Sequence, residues 1–548
     1  MTEKIASLGY ISKEESIKSI SLEHSNYLLN NNYDEYINFK LFSDDKIPNI
    51  TKKISQQWYR DNSNKDIYRG QFSFGIAMEN RIQYLIANSI KYYFALKDLS
   101  INYDSIYLPY NLPQLLLDIC LEIDKKKFLK TDNNSNDCTD LESILNNLAA
   151  INYLHVSRLS IYMRIFEKIL FLNKKNKIII FPDWTYNHYL HDNYLYQNSK
   201  NIFNGFYFRD CKNIDDVKND FPTKLKNIDI SNLINELDIE DLDKHKIERI
   251  IQNQISKEYL KSIDSLCYSY IVFKELFENY KPKSILTPTF HHHWHVLIAQ
   301  IARKKNIKSY VILDGYATFY DKFYYTKDRN GIDYLFDDYV FTGSLSKNLT
   351  DKYFNNITGS QVVFPSSTKN NIHKNNPVKK YTAIVLLPAP LYENPNALYD
   401  QRFKYIIEVL EVLISLEINN IAIKIKDSKN NAVDNDEIVL QKIINKYFKS
   451  LTISIIRGRL YDYLSQTNLV IGQAGTSLIE STICKTPFYI YEPIYVGMSD
   501  IDINRSIFTE TNYSRTISEL RDNIMMDRQT MIPRDKLVDG LHMTDILN

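Results

Sequence analysis

Gly472 and Gly475 both fall in the stretch VIGQAGTSLIESTICKTPFYIYEP, which runs from Val470 to Pro493 in a chain with only 13 glycines among 548 residues. Average usage near 7% would supply about three times as many. Glycine admits positive φ or lets a ligand approach the backbone, so two of them between an apolar run and a helical pattern suggest a binding turn. NLVIGQAG reads as strand and turn, with Thr476 and Ser477 opening a helix. The free N–H groups and dipole of such a helix end accept an anion, and the two hydroxyls add donors. A phosphate or sugar carboxylate is the natural guest of Gln473, Gly475, Thr476 and Ser477, while Glu480, one turn in, can accept hydrogen bonds from ribose or sugar hydroxyls. The stretch is neither GxGxxG nor a P-loop, and a tight strand-to-helix connection with Ser and Thr as caps accounts for the same residues.

Other candidates follow apolar runs. Lys424 and Lys426 share one face of a strand by its two-residue period, either balancing phosphate charge or standing as solvated edge lysines. Arg457 and Arg459 flank Gly458 in the next loop, as bidentate phosphate ligands or as surface arginines. His291, His292, His293 and His295 form HHHWH after the run SILTPTF. His291 and His295 have i, i+4 spacing, but no carboxylate or HExxH completes a metal site, and no metal is expected. Instead His291 and His292 suit proton transfer or anion binding at a strand's carboxyl end, with His293 toward the acceptor. Asp183, closing NKIIIFPD, is the leading carboxylate base and Asp314, closing KSYVILD, the alternative; a turn or cap role fits Asp183 equally. Trp184 offers a ring for stacking on an acceptor sugar.

These residues need elements to hold them. The runs SIYLPYNL, NKIIIFPDW, KSILTPTF and KSYVILDGY read as buried parallel strands, with a helix between the last two and a long helix over the span from Gly70 to Leu99. Residues 364–380 are rich in Asn, Lys, Ser and Pro and read as a linker. Beyond it five strands alternate with four helices, ending at the strand PFYIYEP. The alternation predicts an α/β fold of two doubly wound domains facing a cleft where ligands bind. The expected divisions are 1–66, unassigned; 67–363, acceptor domain; 364–380, linker; 381–510, nucleotide-binding domain; and 511–548, a helical tail packing back.

Composition narrows the class further. With 67 basic and 66 acidic residues the formal charge is +1, so no global field would hold nucleic acid. Five scattered cysteines without CxxC spacing suit a reduced cytoplasm. The opening residues lack an apolar signal core and no run of about 18 apolar residues occurs, so neither secretion nor a membrane span is expected, although peripheral membrane contact through either terminal segment is left open.

The span GRLYDYLSQTNLVIGQAGTSLIESTICKTPFYIYEP resembles the nucleotide-binding half of GT-B glycosyltransferases, and SILTPTFHHHWHVLIAQIARKKNIKSYVILDGYATF with FDDYVFTGSLSKNLTDKYF is similar to the end of the acceptor domain of bacterial capsule and surface-glycan transferases. The likeness spans roughly residues 280–500. It implies two Rossmann-like domains, a CMP- or NDP-sugar donor as co-substrate, a glycan or glycolipid acceptor, and no cofactor or metal. Two departures stand out. Asp314-Gly315 occupies the place of the family's His-Gly, and Lys424-Ile425-Lys426-Asp427 lacks the His-Pro of transferases that use CMP-activated acidic sugars. Three other activities share this architecture: a nucleotide-sugar epimerase, opposed by the scarcity of histidine in the nucleotide half; a CDP-polyol phosphotransferase; and a non-catalytic glycan-binding subunit, opposed by the intact turn.

Overall fold

The structure, a computed structural model, describes residues 3–42, 46–61, 63, 65–134, 178–180, 199–201, 214–225, 228–287, 293–313, 336–344, 347–348, 359–362, 379–388, 395–398, 401–425, 431–449, 451–496 and 512–530. Every ladder between its strands is parallel, and helices fill the connections, which makes the fold α/β.

Among the described residues three sheets form, one more than the alternation predicts. The first contains β1 (Ile5–Leu8), β2 (Ile17–Ser21), β3 (Glu35–Tyr36), β4 (Ser105–Leu108) and β5 (Phe128–Lys130) in the order β3-β2-β1-β4-β5. Its strands come from both sides of position 66, so the expected boundary there falls inside one sheet, and SIYLPYNL pairs with β1 and β5 rather than with the later strands. Two helices also lie in the segment before that position, α1 (His24–Leu29) and α2 (Lys46–Gln57).

The second sheet contains β6 (Ile178–Ile180), β7 (Ser199–Asn201), β8 (Ser284–Thr287), β9 (Lys308–Leu313), β10 (Asp338–Thr342) and β11 (Gly359–Val362) in the order β11-β10-β9-β8-β6-β7. The third contains β12 (Tyr381–Leu386), β13 (Asn420–Lys424), β14 (Thr452–Ile456), β15 (Thr467–Gly472), β16 (Phe488–Tyr491) and β17 (Tyr513–Ser514) in the order β14-β13-β12-β15-β16-β17. Strands such as β8 and β16 are buried along their whole length, as parallel strands covered on both faces must be.

Long helices pack the first two sheets together. α3 (Phe74–Asn102) starts where Ser73 accepts the Ile76 N–H at 3.0 Å, and it packs against α2, α4 (Gln114–Asp124), α5 (Asp241–Tyr280) and α6 (His293–Lys304). One buried charge in that contact is neutralised by a pair: Arg81 meets Glu258 at 3.1 Å, and Glu258 also accepts the Ser262 hydroxyl at 3.0 Å.

In the third sheet α7 (Arg402–Ser415) and α8 (Asn431–Tyr447) follow β12 and β13, α9 (Thr476–Ile483) follows β15, and α10 (Ile517–Met525) follows β17. Residues 512–530 therefore add a sixth strand and a helix, with Thr530 donating its N–H to the Phe488 carbonyl at 2.7 Å. The first and third sheets are joined by the Asn396 side chain, which accepts the Phe42 N–H and donates to the Phe42 carbonyl, both at 2.7 Å. Lys91 adds a buried bond to the Ala397 carbonyl at 3.1 Å. Among the described residues no helix is long and apolar enough to cross a membrane.

Candidate functional site

A parallel sheet opens a crevice beyond its carboxyl edge where the strand order reverses, because the connections on either side leave in opposite directions. In the third sheet that point lies between β12 and β15. The turn Gln473-Ala474-Gly475 leaves the end of β15 at this point and enters α9. The stretch that opened the sequence reading thus stands where a doubly wound sheet binds ligands.

The two glycines do different things. A Cβ on Gly472 would lie 2.7 Å from Leu386 Cδ1 and 3.1 Å from Phe488 Cζ, so the side chains of the flanking strands close over its backbone. Packing, not a ligand, requires glycine there. Gly475 is the residue before α9, in extended backbone with φ −177°, and no side chain among the described residues caps the helix. The first N–H groups of a helix have no partner within it, so this uncapped end faces the crevice as a set of donors. Ser477 is half-buried and Glu480 is buried at 7% exposure, one turn along.

Beneath the turn is a carboxylate that the sequence reading passed over. Glu492, immediately after β16 and fully buried, accepts the Ala474 N–H at 2.7 Å on Oε1 and the Tyr513 hydroxyl on Oε2. Its signal was present in PFYIYEP, an acid closing an apolar strand. Nearby, Glu408 of α7 accepts the hydroxyls of Tyr491, at 2.6 Å, and Tyr495. Burial first, then that hydrogen bond and charge, raise the Tyr491 hydroxyl well above its ordinary range, so it serves as a neutral donor. The loops leaving β12 and β16, on either side of β15, are tied by the Leu398 N–H on the Tyr495 carbonyl at 2.9 Å.

The basic candidates are less concentrated. Lys424 ends β13, two strand spacings (about 10 Å) from β15, and its ammonium donates to the Ile425 carbonyl at 2.8 Å. Arg457 is paired with Glu437 of α8, Nε at 3.0 Å and the terminal nitrogen at 2.9 Å, and Arg459 with Asp462 at 3.3 Å. Gly458 between them has φ 91°, the left-handed region that favours glycine, so the loop's shape is set by that residue. The backbone of Thr476 lies at the start of α9, and Lys426 is outside the described residues.

In the second sheet the order reverses between β6 and β8, neighbours that pair from Ile178↔Ser284 to Ile180↔Leu286, with β9 beyond β8. The sequence candidates follow these three strands: Asp183 and Trp184 after β6, His291 and His292 after β8, Asp314 after β9. All five lie outside the described residues. His293 begins α6 and is half-exposed, while His295 is fully buried with its ring centroid 3.6 Å from that of Trp294.

No protein-family model and no curated protein matches the chain. Among solved structures it is similar to the UDP-GlcNAc 2-epimerase of Methanocaldococcus jannaschii, in complex with UDP-GlcNAc and UDP, at 15% identity over 50% of this chain and 77% of that one, with a TM-score of 0.36. It is also similar to sucrose-phosphate synthase from Thermosynechococcus elongatus, at 9% identity over 48% and 69% with a TM-score of 0.31, and to MurG of Acinetobacter baumannii, at 10% identity over 50% and 72% with a TM-score of 0.28. Likeness at this level carries no functional argument.

Proposed function

We propose that the protein is a GT-B glycosyltransferase that moves a sugar from a CMP- or NDP-sugar onto a glycan acceptor, in the cytoplasm and for a bacterial surface glycan. The observation that carries this is the uncapped start of α9, delivered by the turn after β15 to the point of strand reversal in the third sheet. There Gly475, Thr476 and Ser477 would hold the phosphate of the donor, with Gln473 and Glu480 beside it and Lys424 supplying positive charge. The second sheet would hold the acceptor, with Trp184 and His293 against the sugar.

In the transfer, the acceptor hydroxyl attacks the anomeric carbon, the bond from that carbon to the donor phosphate breaks, and the nucleotide leaves with the phosphate oxygen and its charge. The helix end stabilises that charge. The acceptor's proton passes to a base, for which Asp183, His291, His292 and Asp314 are the candidates. Arg457 and Arg459 would help only after releasing Glu437 and Asp462.

The test is thermal stabilisation by CMP, CDP, UDP, GDP and dTDP, each repeated with Gly475→Val. A nucleotide at 100 times its Kd adds about 2.7 kcal/mol to the stability of the folded state. One nucleotide should raise the melting temperature of the wild type and fail to raise that of the variant. If none stabilises the wild type, the donor site is absent and the reading falls, leaving a glycan-binding subunit.

A further inference from the structure

Building on the nucleotide site proposed above, we infer that Glu492 is a positioning residue for that site: its buried carboxylate fixes the turn 473–475, and Tyr513 fixes the carboxylate. The geometry is specific. The Ala474 N–H is buried between the end of β15 and the start of α9, and Glu492 Oε1 receives it at 2.7 Å. A peptide N–H in that position needs an acceptor, and no strand partner supplies one, since the β15 ladder ends at Gly472. Glu492 reaches it from the adjacent strand because Gly472 pairs with Ile490, two residues before the glutamate.

The second oxygen accepts the Tyr513 hydroxyl, and the Glu492 N–H donates to the Ser514 carbonyl at 2.9 Å. Both bonds come from β17, the outermost strand, which α10 backs. Tyr513 thus holds the side chain of Glu492 and Ser514 its backbone. With this carboxylate in place the turn is fixed before any ligand arrives, and the N–H groups of residues 475–477 keep one direction. The segment 512–530 thus reaches the turn through Glu492, although it lies two strands away from β15.

The experiment compares Glu492→Ala, Glu492→Gln and Tyr513→Phe with the full-length wild type by two readouts, both taken well below the melting transition. The first, amide hydrogen exchange of the peptide containing Ala474, needs no ligand. The second is the Kd for whichever of CMP, CDP, UDP, GDP and dTDP stabilises the wild type. Glutamine retains an oxygen for the Ala474 N–H and an amide group that can donate to the Tyr513 oxygen. Glu492→Ala should raise exchange at the turn at least tenfold and weaken nucleotide binding at least tenfold; Glu492→Gln should restore both to within about threefold of wild type. Tyr513→Phe should fall between the two.

A stabilising role alone would lower the melting temperature of Glu492→Ala and leave exchange at the turn and Kd unchanged at low temperature. That result overturns the inference, as does failure of glutamine to rescue. If no nucleotide binds the wild type, the proposed function has failed on its own account, and exchange at the turn alone decides whether Glu492 positions it.

Discussion

Gly472→Ala separates packing from ligand approach as the reason for the first glycine. The added Cβ would meet Leu386 Cδ1 at 2.7 Å, Leu386 Cγ at 3.2 Å and Phe488 Cζ at 3.1 Å. Phe488 is buried at 1% exposure and cannot withdraw, so the half-buried Leu386 must swing out of its rotamer. Overpacking of this kind costs ~1–3 kcal/mol. Replacing glycine recovers ~0.4–1 kcal/mol by restricting the unfolded chain, since no positive φ is involved. The net expectation is a loss of ~1–2 kcal/mol, which lowers the melting temperature by ~2–8 °C for a unit of about 150–250 residues. The assay is thermal unfolding of Gly472→Ala, Leu386→Ala and the double variant. Removing the leucine end removes the collision, so the double variant should lose less than the sum of the singles by about 1–2 kcal/mol. A Gly472→Ala protein as stable as wild type, or strictly additive losses, would refute the packing argument. If stability held while nucleotide binding vanished, the glycine would be serving the ligand instead.

Other outcomes follow from buried polar groups. Arg402 and Asp436 join the starts of α7 and α8 in a bidentate pair, one bond of which is 2.8 Å, with side chains 8% and 3% exposed; Asp436→Asn should therefore cost ~3–5 kcal/mol in a urea titration. Asn396→Ala removes two buried bonds to the Phe42 backbone and should cost ~1–3 kcal/mol, with hydrogen exchange rising around residues 39–42. Burial raises the Asp66 carboxyl above its ordinary value, outweighing the Ser73 and Tyr68 hydrogen bonds that lower it. A raised carboxyl disfavours the folded state while ionised, and the penalty disappears as pH falls through the folded value. Asp66→Asn should therefore be at least as stable as wild type at about pH 7, with any advantage shrinking toward pH 4, as urea midpoints across that range will report.

Most strands of the second and third sheets were legible because parallel strands covered on both faces read as continuous apolar runs, as III, SILT, YVIL, AIVL and FYIY do, whereas β7 (SKN), β11 (GSQV) and β17 (YS) gave no such run. In the first sheet only β4, within SIYLPYNL, carried that signal. β3 is only Glu35 and Tyr36, and β2, IKSIS, carries a lysine and two serines. Its buried serines are satisfied locally, Ser7 donating to the Tyr10 carbonyl at 3.0 Å and Ser19 accepting the Ser12 N–H at 2.9 Å, so the strands are stable without reading as apolar. The turn at Gly475 was visible because glycine, serine and threonine cluster there in sequence. What supports it was not, because Glu492 meets the turn, and Tyr513 meets Glu492, only once the strands are ordered side by side. Arg457 and Arg459 read by residue type as phosphate ligands or surface arginines, and in the fold acids at 437 and 462 engage them.

The bond pair between Phe42 and Asn396 spans 354 positions of chain. At ~5–20 residues per second of synthesis, Phe42 emerges some 18–70 s before its partner exists. Through that interval the backbone N–H and carbonyl of Phe42 must stay hydrated. The first sheet to leave the ribosome is thus among the last to be finished, and a chain cut short before position 396 carries that unfinished edge for its whole lifetime.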